Sequence, residues 1–286
     1  MVFNALFDQK NEFEKSRGIM NFFDGLNLWM SVCLMAVNRR SLGQGLVLRR
    51  YIKRSKARVI NPLNRYRGAT LEVQGRVVHL RGFRTSDYEV FYQIFGFTEY
   101  EDLCRFLKIN DSEAPAFVFL DCGANIGLAS AYMQIQFPNS VFVGVEPSQE
   151  NLDLARQNMN YDKVFLRALT SKNGNKVKLF SPTKENVEWA LRTKEDAEGE
   201  IETLNLEALL EELIPWRELP YVLKVDIEGA EFDVFRNASA EVLHQFDMII
   251  VEVHDFVDES NSLVRHICSF GYYTFPMGEY WFFKRF

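Results

Sequence analysis

The chain has 286 residues, 47% of them apolar and 25% charged, which is ordinary for a soluble globular protein of one large domain with an extension. Cys33, Cys104, Cys122 and Cys268 are widely spaced and form no CxxC pair. That excludes a disulfide frame and a cysteine zinc site, and suits a reducing compartment. The net charge of −6 conceals an asymmetry: residues 39–67 carry ten Lys or Arg and no Asp or Glu, leaving 23 basic against 39 acidic residues elsewhere.

Residues 1–17 are polar and of mixed charge, so no cleavable signal peptide is read there and a cytoplasmic location is expected. Residues 19–37 are strongly apolar but broken by Asn21, Asp24, Gly25 and Asn27, too interrupted for a spanning helix. A helix that docks on the domain, pairs two subunits or lies on an anionic leaflet fits better. With the basic block that follows, residues 19–58 become the expected contact for any peripheral membrane attachment, on the inner face. Residues 1–70 are therefore read as a helical, basic extension, 71–115 as a hairpin and helical cap, and 116–286 as the main domain.

Residues 71–80 read as a hairpin turning at Gly75, and Thr85-Ser86-Asp87 as the cap of a helix burying Val90, Phe91, Ile94 and Phe95. Residues 97–107 make a second short helix or loop. Arg81, Asp87 and Tyr100 are the polar members that could reach a site below, with plain capping the better account of the first two.

Phe117 to Leu120 is an apolar run with strand character, closed by Asp121. Cys122-Gly123-Ala124-Asn125-Ile126-Gly127 then turns into an apolar helix over 128–136. Glycines admit a ligand close to the backbone, and the first helical N–H groups favour a negative group. GxGxxG is absent, which argues against a nicotinamide dehydrogenase. An anion at Asp121 repels a pyrophosphate but suits the α-amino group of a ligand such as S-adenosylmethionine. About 25 residues on, the spacing of a βαβ unit, a second strand over 141–145 ends in Glu146-Pro147-Ser148. A carboxylate there can accept both ribose hydroxyls of a nucleoside.

Residues 164–169 read as a third strand, 176–180 as an alternating one, and 186–192 and 200–204 as two more around a polar loop at 193–200. A helix spans 204–213. Residues 221–231, YVLKVDIEGAE, form a strand whose period of two puts Lys224, Asp226 and Glu228 on one side at its carboxyl end, where open α/β sheets bind ligands. Glu231 is more simply a helix N-terminal carboxylate. A strand over 248–253 ends in Glu252-Val253-His254-Asp255, followed by a helix over 259–270 and a closing hairpin.

RGFRTSDYEVFYQIF, LDCGANIGLAS, VGVEPS, LKVDIEGAE and VEVH, in this order, resemble the FkbM family of S-adenosylmethionine-dependent methyltransferases over residues 81–286. The resemblance implies an α/β, Rossmann-like, seven-stranded, mostly parallel sheet with a reversed last strand. It also implies O-methylation of a hydroxyl on a sugar, glycan or natural-product scaffold. Beside it, methyl transfer from a sulfonium needs chiefly positioning and removal of a proton. Asp121, Gly123, Asn125 and Gly127 are expected to hold the amino-acid end of the cofactor and Glu146, with Pro147, its ribose. Ala168 is expected to frame the adenine, and Tyr100 to reach the site from the cap. His254 or Asp226 is the expected base, with Lys224 and Glu228 orienting the acceptor. Asp226, Glu252 and His254 could also hold a Mg²⁺ or Mn²⁺ ion, although the spacing does not require one. The acceptor itself is open among a small molecule, a glycan and a lipid-linked sugar. A ribose 2′-O-methyltransferase acting on RNA and a non-catalytic, membrane-associated scaffold are the alternatives. The acidic main domain argues against the first and the paired carboxylates against the second.

Overall fold

The computed structural model describes residues 50, 52–64, 68–82, 85–108, 115–180, 192–254, 257–277 and 279–285. The apolar stretch 19–37, residues 39–49, 51 and 65–67 of the basic block, residues 186–191 of the strand read at 186–192, and Asp255 lie outside the described residues. Among those described, no helix is long and apolar enough to cross a membrane.

The first elements are the strands β1 (Arg58–Asn64), β2 (Gly68–Val73) and β3 (Arg76–Leu80), which form an antiparallel sheet. The β2–β3 hairpin matches the reading of 71–80, but the helical extension expected to reach residue 70 gives way to β1. Pairing explains it: Val59 faces Leu71 across the ladder, both are buried, and the Arg58 guanidinium meets Glu72 at 2.6 Å. Helix α1 (Asp87–Phe91) runs on into a π turn at Tyr92–Gly96, and α2 (Glu101–Lys108) completes the cap. Arg81 is spent on Asp87, at 2.7 Å, and on Asn151, at 2.9 Å. Asp87 in turn is buried, so both residues hold the cap together rather than face a ligand.

The main sheet begins with β4 (Val118–Cys122), followed by α3 (Leu128–Gln136), β5 (Val141–Val145), α4 (Gln149–Asn158) and β6 (Lys163–Phe165). Next come four short strands, β7 (Ala168–Leu169), β8 (Lys176–Phe180), β9 (Arg192–Glu195) and β10 (Ile201–Leu204), in a separate sheet of order β7-β10-β8-β9. The single strand read at 164–169 is thus two strands in different sheets, and the loop read at 193–200 opens as β9. Helix α5 (Leu206–Glu211) leads to β11 (Tyr221–Val225), α6 (Glu231–Asn237), α7 (Ala240–Leu243), β12 (Met248–Glu252), α8 (Val257–Ser269), β13 (Tyr273–Met277) and β14 (Tyr280–Lys284).

The seven-stranded order is β13-β14-β12-β11-β4-β5-β6. The strands β6, β5, β4, β11 and β12 pair in parallel, while β14 runs antiparallel to both of its neighbours. This is the expected Rossmann-like sheet with its last strand reversed. Its cores follow from strand periodicity. In β4, which is wholly buried, Phe119 enters the core shared with the cap residues Phe91 and Phe95. Val118 and Leu120 enter the opposite core, with Leu209, Phe235 and Leu263. Strand order reverses between β4 and β11, so the carboxyl ends of these two neighbours open a crevice.

Candidate active site

That crevice is a cavity of about 350 Å³, within the range of roughly 300–1,000 Å³ usual for ligand pockets. Gly123, Ala124, Asn125, Glu146 and Pro147 line one side, Ala168 and Thr193 the back, Lys224, Asp226, Glu228, Glu252 and His254 the other side, and Glu99, Tyr100 and Tyr280 the roof.

The glycine turn is held by β5 and crowded by β11. Gly123 and Ala124 donate to the Val145 carbonyl at 2.9 and 3.1 Å. A Cβ on Gly123, whose φ is +83°, would lie 1.7 Å from the Asp226 carbonyl oxygen, so the turn must present bare backbone here. Asn125, at φ 48°, donates its N–H to Glu146 Oε2 at 2.8 Å, and its own Oδ1 is buried without a partner. Glu146 also accepts from the Ser148 N–H at 2.9 Å and Asn151 Nδ2 at 3.2 Å. Burial raises its pKa, and the three donors oppose the shift. Oε1 takes the last two of these donors and Oε2 only the Asn125 N–H, so Oε2 keeps a lone pair for a further donor.

Asp121 and Gly127, both expected at the cofactor, do not line the cavity. Asp121 is fully buried, accepting from Ser130 Oγ at 2.6 Å and pairing with Lys224 Nζ at 3.1 Å. Its charge is consumed inside the protein. Gly127, at φ +80°, caps α3, and a Cβ there would press on Ala155 and Tyr161 at 3.2 Å. It serves the packing of α3 on α4.

Lys224 is 2% exposed and meets Asp121, Asp226 Oδ2 at 3.2 Å and the Gly123 carbonyl at 3.2 Å. An ammonium has three protons and all three are taken. Burial would lower its pKa, but Asp121 and Asp226 prevail and hold it above the usual lysine value. The expected role in orienting an acceptor is therefore replaced by a structural one, clamping the glycine turn to Asp226.

His254 Nδ1 lies 3.0 Å from Glu231 Oε1, and Glu231 also accepts from the backbone N–H groups of Ile227 and Gly229. A residue read as a helix-start carboxylate thus builds the turn and aims the imidazole. Nε2 lies 3.3 Å from Glu252, 3.5 Å from Glu228 and 3.7 Å from Asp226. Burial would lower the His254 pKa, but Glu231, Glu252 and Glu228 overcome it and raise it to about 11. His254, one of the two expected bases, thus stands with Nε2 among three carboxylates of the cavity wall. Glu228, at φ 60°, is pushed up to about 7 by burial and then by Asp226, Glu252 and Glu231, against the pull of His254. Glu99 also rises to about 7, through burial and then Glu252, Glu279 and Asp226. Nothing in the sequence marks Glu99, which enters from the cap. Of the residues weighed for a possible metal ion, the described residues bring Asp226 and His254 together with Glu228 rather than Glu252, their ligand atoms within 4.8 Å of one another.

The Methyltransferase FkbM domain profile matches residues 121–273, more than half of the chain. The chain belongs to the FkbM methyltransferase family. It is 26% identical over 160 residues to "Methyltransferase 1" of Beauveria bassiana (strain ARSEF 2860), a match spanning 48% of this chain and 64% of that relative. Among solved structures it is similar to the precorrin-6Y C5,15-methyltransferase of Geobacter metallireducens GS-15 (12% identity, TM-score 0.36, 66% of this chain and 86% of that one). It is also similar to the plantazolicin methyltransferase BpumL in complex with SAH (12% identity, TM-score 0.35, 66% and 84%). The fold of this FkbM-family chain rests on its strand order rather than on those likenesses.

Proposed function

We propose that this FkbM-family protein is an S-adenosylmethionine-dependent O-methyltransferase acting on a hydroxyl of a sugar, glycan or natural-product acceptor. The observation that carries the reading is the facing pair at the switch point: a bare glycine turn tied to Glu146 on one wall, and an acid-rich wall from β11 and β12 on the other. The residues fit the cofactor. Gly123 lets the turn cross close over the end of β11 and offers bare backbone to its amino-acid end, the unpartnered Asn125 Oδ1 suits the α-amino group in place of Asp121, and Glu146, through its open Oε2, suits the ribose. The cofactor supplies an electrophilic methyl on a sulfonium.

In the reaction the acceptor oxygen attacks the methyl carbon, the C–S pair goes to sulfur, and the hydroxyl proton leaves to a carboxylate. Asp226, Glu228 and Glu252, which line the cavity wall, are the carboxylates that can take it. Glu89, Glu99, Glu252 and Glu279 also line the opening, so a neutral or cationic acceptor suits the cavity better than an RNA backbone.

The test is calorimetric binding of S-adenosylhomocysteine to the wild type and to Glu146→Gln, followed by transfer of labelled methyl groups to hydroxylated acceptors. The expected loss on substitution is at least about tenfold, or about 1.4 kcal/mol. Well-folded wild type that binds no S-adenosylhomocysteine would overturn the reading.

A further inference from the structure

We infer that Asp226, Glu228 and His254 bind a divalent cation of the Mg²⁺ or Mn²⁺ type, and that it receives the acceptor through two neighbouring oxygens. Three independent features of the wall lead there. The first is the ring's orientation. His254 Nδ1–H donates to Glu231, a carboxylate already anchored by backbone N–H groups, so Nε2 is the nitrogen presented to the cavity. A carboxylate behind the imidazole is the usual support of a metal-ligating histidine.

The second feature is distance. Ligand atoms held at about 2.1 Å around an octahedral ion stand roughly 3 Å apart when adjacent and roughly 4.2 Å when opposite. Glu228 Oε1 and Asp226 Oδ1 lie 3.5 and 3.7 Å from Nε2, and the three ligand atoms fall within 4.8 Å of one another. Neither separation is a good hydrogen bond, and both are of the size that an ion between the groups would leave. The third feature is charge. Glu99, Glu252 and Glu279 line the same cavity, while the cation nearest Asp226, Lys224, is already divided between Asp121, Asp226 and a carbonyl. Oxygen-rich donors with a single imidazole match hard divalent ions rather than zinc or copper.

Three protein ligands leave open positions facing the cavity. A hydroxyl with an adjacent oxygen, as in a 1,2-diol or an α-hydroxy carbonyl, can fill two of them as a five-membered chelate. The coordinated hydroxyl loses its proton to Glu252, which stands outside the ligand set, and its oxygen takes the methyl carbon as the C–S pair returns to sulfur. This acceptor half rests on the methyltransferase reading; the cation site does not.

The experiment is a Mn²⁺ titration of the full chain, stripped with chelator, followed by the electron paramagnetic resonance of free Mn²⁺. Parallel calorimetry with S-adenosylhomocysteine is run without metal. The expected result is one Mn²⁺ per chain, displaced by Mg²⁺, and weakened at least tenfold in His254→Gln and in Glu228→Gln. His254→Gln should keep its S-adenosylhomocysteine affinity, which shows that it is folded. If the wild type binds no Mn²⁺, or the variants bind it as well as the wild type, the inference falls even where the cofactor binds. If Mn²⁺ binds but S-adenosylhomocysteine does not, the site stands and the methyltransferase reading falls, taking the diol acceptor with it.

Discussion

Gly123 and Asp226 directly follow β4 and β11, which pair in parallel, and the glycine turn passes over the end of β11 with no room for one further carbon. A Gly123→Ala side chain meets a backbone carbonyl, not a flexible side chain, and sits at a φ that L residues avoid. The turn must therefore move, taking with it the carbonyl that Lys224 holds and the Asn125 N–H that Glu146 holds. The expected outcome is a loss of at least about 2 kcal/mol of stability in chemical denaturation, together with loss of S-adenosylhomocysteine binding. Glu99 gives a second prediction at this scale. Its folded pKa, about 7, lies above its ordinary 4.5, so the folded state binds the proton more tightly than the unfolded state. Stability from this group is intact below pH 4.5 and declines as the pH rises to 7, because the charged carboxylate is then buried among Glu252, Glu279 and Asp226. Glu99→Gln should leave the melting temperature unchanged at pH 5 and raise it at pH 8. Equal melting curves at both pH values would contradict the assignment.

At the scale of elements, the cap is fastened to the terminal hairpin by a hydrogen bond between Tyr100 and Tyr280, whose hydroxyls lie 2.9 Å apart in full burial. Their rings also pack at 5.5 Å. Removing one hydroxyl strands the other, so Tyr280→Phe and Tyr100→Phe should each cost about 1–3 kcal/mol. The double variant should cost less than the sum, by a coupling measurable in a double-mutant cycle. Strict additivity would show that the bond carries nothing. What the sequence disclosed follows the same grain. Long apolar runs such as β4, β5 and β12 announced themselves, because strands buried on both faces need unbroken hydrophobicity. The strands β1, β7 and β9 did not: β1 carries Asn61 and Pro62 in its middle, β7 has only two residues and β9 is wholly polar, and β1 and β7 take their form from distant partners such as Leu71 and Leu204. The motifs placed Glu146, Asp226 and His254 at strand ends correctly. They could not show that Asp121 and Lys224 would satisfy each other, because that depends on which neighbour each side chain turns towards.

For the whole molecule, the main question is whether the cap is a separate lid or part of one body. A single apolar cluster holds Ile52, Leu71 and Phe91 of the N-terminal elements together with Phe119, Tyr132 and Phe282 of the main sheet and its helix. Asn158 reinforces it, donating to the His79 and Ile126 carbonyls at 3.0 and 2.9 Å while accepting the His79 N–H at 2.6 Å. Separating cap from sheet would expose the faces of Phe91, Phe95 and Phe119 at about 25 cal/mol for each Å² of apolar surface, with no compensating contact. Cap and sheet are thus expected to unfold together. Calorimetry should show one transition, and S-adenosylhomocysteine at a hundred times its dissociation constant should raise stability by about 2.7 kcal/mol as a unit. Because Tyr100 and Glu99 reach the cavity from the cap, the shift should appear equally in probes placed on either part. A first transition confined to residues 50–108 and insensitive to ligand would make the cap a lid that opens on its own.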